Sequence, residues 1–172
     1  MNLPRMIDSL ECAGRYLPYL LRSISDEDAV WKPPSQNWSI LEIVCHLIDE
    51  EVQDFRTRVK MTLEDPEAPW PSINPELWAI DRQYNQRDFQ KSIEQFSTER
   101  ADSIRWLKSL EEPNWFQVYQ HPHIGPLRAG DLLVSWVAHD QLHVRQIAKR
   151  KYEIINRDSG EFSYSYAGDW TA

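Results

Sequence analysis

Apolar residues recur along this chain at spacings of three and four, the period of α-helices that bury one face. Over residues 4–24 the recurring positions are Leu10, Leu17, Leu20, Leu21 and Ile24. Pro4 suits the opening turn, where its missing N–H has no partner to lose. The stretch "SDEDAVWKPPSQN" then interrupts the pattern. A second helix has the sharpest start. In "WSILE", Ser39 stands three residues before Glu42, the spacing of a capping box, and Trp38 is placed to staple onto Ile43. Ile40, Leu41, Ile43, Val44, Leu47, Ile48, Val52 and Phe55 carry the stripe on, which predicts a helix to about residue 63.

Residues 64–87 are rich in proline and hold Trp70 and Trp78, which predicts a long connection with a helical turn near Glu76 to Ile80. Connections of this length usually have a function, and lining a pocket is one. A third pattern runs from Asp88 to Leu110 through Phe89, Ile93, Phe96, Ile104, Trp106 and Leu107. A fourth runs from about Gly130 to Tyr152, with Leu133, Trp136, Val137, Val144, Ile147 and Ala148 as core positions. The last twenty residues look irregular, with Tyr164, Tyr166 and Trp170 as anchors. No convincing strand alternation appears. The expectation is an all-α four-helix bundle over residues 1–152, with residues 153–172 as a tail packed on it.

Composition narrows the field. A chain of 172 residues is the size of one domain. The formal net charge of −8 repels phosphate backbones, and no basic run exceeds Lys149-Arg150-Lys151, so no nucleic-acid partner is expected. No apolar run approaches the roughly 18 residues of a membrane span, so no membrane is expected either. The start, "MNLPRMIDSLE", lacks the apolar core of a signal peptide. The two cysteines, Cys12 and Cys45, sit in helical patterns and read as cytoplasmic thiols.

Candidate chemistry lies in "HDQLHVRQI". His139 and His143 are four apart and share a helix face with Trp136 and Ile147, so they point inward. Buried imidazoles need partners for their ring nitrogens, and a divalent ion is one such partner. Such a pair alone often only makes hydrogen bonds. His46, on the helix after Ser39, offers a third ligand across a bundle interior. Asp49 and Glu50, three and four residues on, stand either to approach an ion, to orient a ligand, or to form a solvated edge. Asp140 is either a group that steadies a histidine or a surface acid. His121 and His123, in "QHPHIG", are either pocket residues or surface histidines. Trp70, Trp78, Trp106, Trp115 and Trp136 are either substrate walls or core.

The two stretches "NWSILEIVCHL" and "HDQLHVRQI", separated by a long third helix, resemble the signature regions of the DinB/YfiT-like superfamily. The resemblance covers about residues 5–150. It implies an up-down-down-up four-helix bundle with a long connection between helices 2 and 3, often assembled as a homodimer. It also implies one divalent metal ion, zinc or nickel, held by His46, His139 and His143 with solvent completing the shell. Activities in the family imply a low-molecular-weight-thiol S-transferase acting on a small-molecule electrophile, with bacillithiol, mycothiol or glutathione as co-substrate. Two alternatives stand beside it: a metal-dependent hydrolase using metal-bound water, and a non-catalytic, metal-stabilised, stress-related dimer. One departure is visible. Relatives often carry a threonine-like cap where this chain has Arg128, and arginine accepts no hydrogen bond. The last helix is therefore expected to start differently, or Arg128 to reach toward an anionic substrate.

Overall fold

Ser39 forms the predicted capping box. Its hydroxyl accepts the Glu42 N–H at 3.1 Å, and the Glu42 carboxylate accepts the Ser39 N–H at 2.8 Å. In the computed structural model, which describes residues 2–170, this cap opens the most deeply buried helix of the chain. The elements before it are α1 (Leu3–Leu21) and the short α2 (Asp26–Val30). The capped helix is α3 (Ile40–Asp49), which runs through a π-helical stretch, Glu50–Phe55, into α4 (Arg56–Glu64). After the proline-rich connection come α5 (Pro75–Asp81), α6 (Phe89–Ser109) and the long α7 (Ala129–Asp158). Among the described residues no helix is long and apolar enough to cross a membrane.

Side-chain pairs give the helix directions. Ile7 and Leu10 of α1 share a cluster with Ile104 and Leu107 of α6, while Gly14 meets Arg100, so α1 and α6 run antiparallel. Cys45 faces Ser92, and Glu51 faces Arg100 and Ser103, so the second long helix runs parallel to α6. His46 faces His139 and Glu51 faces Trp136, so α7 returns against it. Tyr16 bonds Gln141 and Lys151 bonds the Leu20 carbonyl, which sets α7 parallel to α1. The order is up-down-down-up. Two parallel neighbours in sequence, α4 and α6, cannot be joined by a tight turn, which is why residues 65–88 must travel the length of the bundle.

Three local features depart from the sequence expectation. Residues after α6 form an antiparallel hairpin, β1 (Val118–His121) with β2 (Gly125–Arg128), where no strand was expected. Its turn is closed by His121 Nδ1, which accepts the N–H groups of His123 and Ile124, and by Gly125 at φ +92°. Next, α7 runs to Asp158, beyond the expected Tyr152. In the tail, Tyr164 and Trp170 pack on Tyr152, but Tyr166 is fully exposed and anchors nothing. Residues 171 and 172 of the expected tail lie outside the described residues.

The helix that carries His46 depends on its cap, and Ser39 also donates to Asn85 Oδ1 at 2.5 Å. Ser39→Ala should therefore lower unfolding stability by about 1–2 kcal/mol. Ser39→Asp, which keeps the acceptor for the Glu42 N–H, should recover part of that loss in chemical denaturation.

Candidate metal centre

At the level of His46, α3 faces α7. His46 Nε2 lies 3.4 Å from His139 Nε2, and His143 Nε2 lies 3.0 Å from the same atom. The three rings offer ligand nitrogens all within 4.8 Å of one another. His46 and His143 are 4% and 5% exposed, and His139 is partly open. Around a tetrahedral ion with metal–nitrogen bonds of about 2.0–2.1 Å, ligand nitrogens stand roughly 3.3–3.4 Å apart. The His46–His139 separation matches that spacing and the His139–His143 separation falls a few tenths of an ångström short of it, so the triad suits a divalent ion with small shifts of the rings.

Burial also sets the charge state. It pushes His46 down to about 2, helped by the neighbouring His143 and His139. Burial, then His143 and Arg100, pushes His139 down to about 3. Burial pushes His143 down to about 4, against a hydrogen bond with Gln146 that works upward. All three imidazoles are therefore neutral at neutral pH, with lone pairs available.

The opposite ring nitrogens are where orientation is set. His143 Nδ1 lies 2.9 Å from Gln146 Oε1. His46 Nδ1 and Glu50 Oε1 are both buried without a hydrogen-bond partner and face each other at 3.6 Å. Glu50 thus stands behind His46, on the orienting side, and burial beside Asp54 raises its carboxyl well above the ordinary range. Asp49 is engaged elsewhere, by the Tyr84 hydroxyl and by Arg82 at 2.6 Å. Phe55 and Trp38 pack on the triad, with centroids 5.0 Å from His139 and 4.9 Å from His46.

Asp140 steadies no histidine, and it is not at the surface. It takes a two-pronged bond from Arg100, Nη1 to Oδ2 at 2.6 Å and Nη2 to Oδ1 at 2.8 Å. Arg100 Nε donates to Glu51 Oε1 at 2.7 Å, where the Trp136 indole also donates at 2.9 Å. Ser103 donates to the other Glu51 oxygen at 2.7 Å. Burial opposes the charge on Arg100, but Glu51 and Asp140 outweigh it and hold the guanidinium protonated. The sequence reading missed Arg100 and Glu51. The signal was present: Arg100 falls four after Phe96 and four before Ile104, inside the apolar stripe of α6, and Glu51 falls four after Leu47. A charge on a core stripe needs a buried partner.

The remaining candidates lie apart from the triad. His121 closes the hairpin turn and lies against Trp70, and His123 is exposed. Arg128 is exposed and pairs with Asp131 at 2.7 Å. The Asp131 carboxylate accepts the Arg128 N–H at 3.1 Å, so α7 starts within a residue of the expected Gly130 but is capped differently, by the reciprocal half of a capping box alone. Trp136 is core, and burial keeps the Cys45 thiol above its usual range.

Such a site defines a class: helical bundles holding three imidazoles between facing helices. The comparisons agree on the fold. The model of the DinB superfamily matches residues 9–147, and the chain belongs to that superfamily. Among solved structures it is similar to YfiT from Bacillus subtilis, described as "a probable metal-dependent hydrolase with an unusual four-helix bundle topology". The TM-score is 0.78 at 16% identity, over 88% of this chain and 87% of that one. No curated protein matches.

Two substitutions test the buried ionic cluster. Arg100→Met would leave two buried carboxylates without their cation and should cost about 3–5 kcal/mol in equilibrium unfolding. Gly14→Ala should also destabilise, although alanine is the better helix former by about 1 kcal/mol, because its Cβ would sit 2.8 Å from Arg100 Cγ.

Proposed function

We propose that the chain is a divalent-metal-dependent enzyme whose ion, zinc or nickel, is held by His46, His139 and His143. The observation that carries this reading is the convergence of three neutral Nε2 atoms, with no fourth histidine, cysteine or carboxylate joining them among the described residues. Three protein ligands are the pattern of centres that keep a position for substrate, whereas structural centres take four. When bound, the ion supplies Lewis acidity, stabilising an anionic nucleophile or a polarised carbonyl. Glu50 and Gln146 would hold His46 and His143 in the ligating orientation, and Trp38 and Phe55 would keep bulk water from the rings.

The reaction we favour is S-transfer from a low-molecular-weight thiol to a small electrophile. The carboxylates nearest the triad have other engagements: Asp140 with Arg100, Asp49 with Tyr84 and Arg82, and Glu50 behind His46. A nucleophile that must ionise with little help from a carboxylate base is better a thiol than water, since a free thiol ionises near pH 8.5. Hydrolysis is the second reading, favoured by the description of the similar bundle of YfiT.

Elemental analysis of the purified protein should find about one divalent ion per chain, falling to background in His143→Ala and unchanged in His121→Ala. Equal metal in all three would end this reading. Glu50→Leu, which removes the acceptor behind His46, should hold the ion about 10–100-fold more weakly. With metal present, incubation with bacillithiol, mycothiol or glutathione and a chlorinated electrophile should give a thioether product. Turnover with water and no thiol would assign hydrolysis instead.

A further inference from the structure

Between the start of α3, α5 and the middle of α7 lies a cleft of about 790 Å³. It adjoins the triad through two of its lining residues. Trp38 packs on His46, and Gln146 meets the Nδ1 of His143. Its charge runs against that of the whole chain. The protein carries −8, yet four cations (Lys32, Arg145, Lys149 and Arg150) line the cleft against two carboxylates, Glu42 and Glu76. Lys32 and Glu42 engage each other at 2.8 Å and cancel, Glu42 also accepting the Ser39 N–H, and Glu76 is exposed at the rim.

Arg150 is the distinctive group. It is 4% exposed and pairs with Glu153 through Nη1, but its buried Nε has no hydrogen-bond partner. A buried guanidinium N–H without an acceptor is costly, and Arg150 lines the cleft, where a small shift of its side chain would offer that N–H to an anionic oxygen. Lys149, beside it and partly exposed, has no ion-pair partner among the described residues. Other parts of the wall are apolar, with Ile80 and Leu142 exposed to the extent of 73% and 58%.

We propose that this cleft binds a small molecule with an apolar body and one anionic group, carboxylate or phosphate, seated on Arg150 and Lys149. The inference deepens the enzymatic reading and rests on it for the ligand's role as substrate. Arg150 lies seven residues beyond His143 on α7, about 10 Å along the axis at 1.5 Å per residue. The substrate's reacting group and its anion are therefore separated by about that length.

The test is anion binding by the full-length protein, followed through the Arg150 Nε–H resonance and Trp38 fluorescence. The probes are phenylbutyrate and phenyl phosphate, with uncharged phenylbutanol as control. One or both anions should saturate the Arg150 signal, and the tighter one identifies the anionic group. Lys149→Gln, at a partly exposed position, should weaken binding about tenfold, as should Arg150→Gln if that variant folds. No saturable shift at Arg150, an equal response to phenylbutanol, or unchanged affinity in Lys149→Gln overturns the proposal. These readouts need no metal and no turnover. A protein that binds metal through the triad but ignores both anions loses only the cleft, and one that binds the anions without retaining metal loses the triad reading and, with it, the ligand's role as substrate.

Discussion

One guanidinium touches all four long helices. Arg100 belongs to α6, bonds the Leu10 carbonyl of α1 at 3.1 Å, grips Glu51 on the π-helical stretch, and holds Asp140 on α7. The fixed fork of an arginine demands its partners in one plane and at set distances. Each helix is thereby fixed in rotation and height, beyond what a greasy interface alone would specify. Such a cluster is weak as a source of net stability, since desolvation offsets most of the attraction. Its value here is geometric. Asp140 neighbours His139 in sequence, and Trp136, one turn earlier, donates to Glu51 and stacks on Phe55, which in turn packs on His139.

The same burial sets the chemistry of the histidines. Rings removed from water keep their neutral form, and the Arg100 charge further disfavours protonated His139. A cation entering between the three Nε2 atoms therefore meets neutral ligands whose lone pairs are free.

Much of the fold was legible in the sequence because its governing features are local and periodic. Ser39 and Glu42 announce a cap, the stripe behind them announces a helix, and His139 and His143 announce a shared face. Their meeting with His46 was legible only through the paired motifs, since nothing local says which helix faces which. What stayed hidden was non-local or masked. Arg100 and Glu51 went unnoticed because charged residues within an amphipathic helix usually face solvent. The hairpin escaped because its strands are four residues each and Pro122 and Pro126 obscure any alternation. Arg128 was misleading for a good reason: it cannot cap α7 with its side chain, but Asp131 supplies the reciprocal half of the motif.

The π-helical stretch joins these threads. In a regular α-helix, residues nine apart point to opposite sides. His46 and Phe55 both meet His139 on α7, so a regular helix would present one and turn the other away. The wider π turns at Glu50–Phe55 shift the phase between them and bring Phe55 round toward α7. Glu50, Glu51 and Asp54 are all buried within this stretch, one behind His46 and one on the guanidinium. The distortion costs regular hydrogen-bond geometry in the middle of the most buried helix. It persists because it lets a single segment serve both the structural cluster and the histidine that faces the other two.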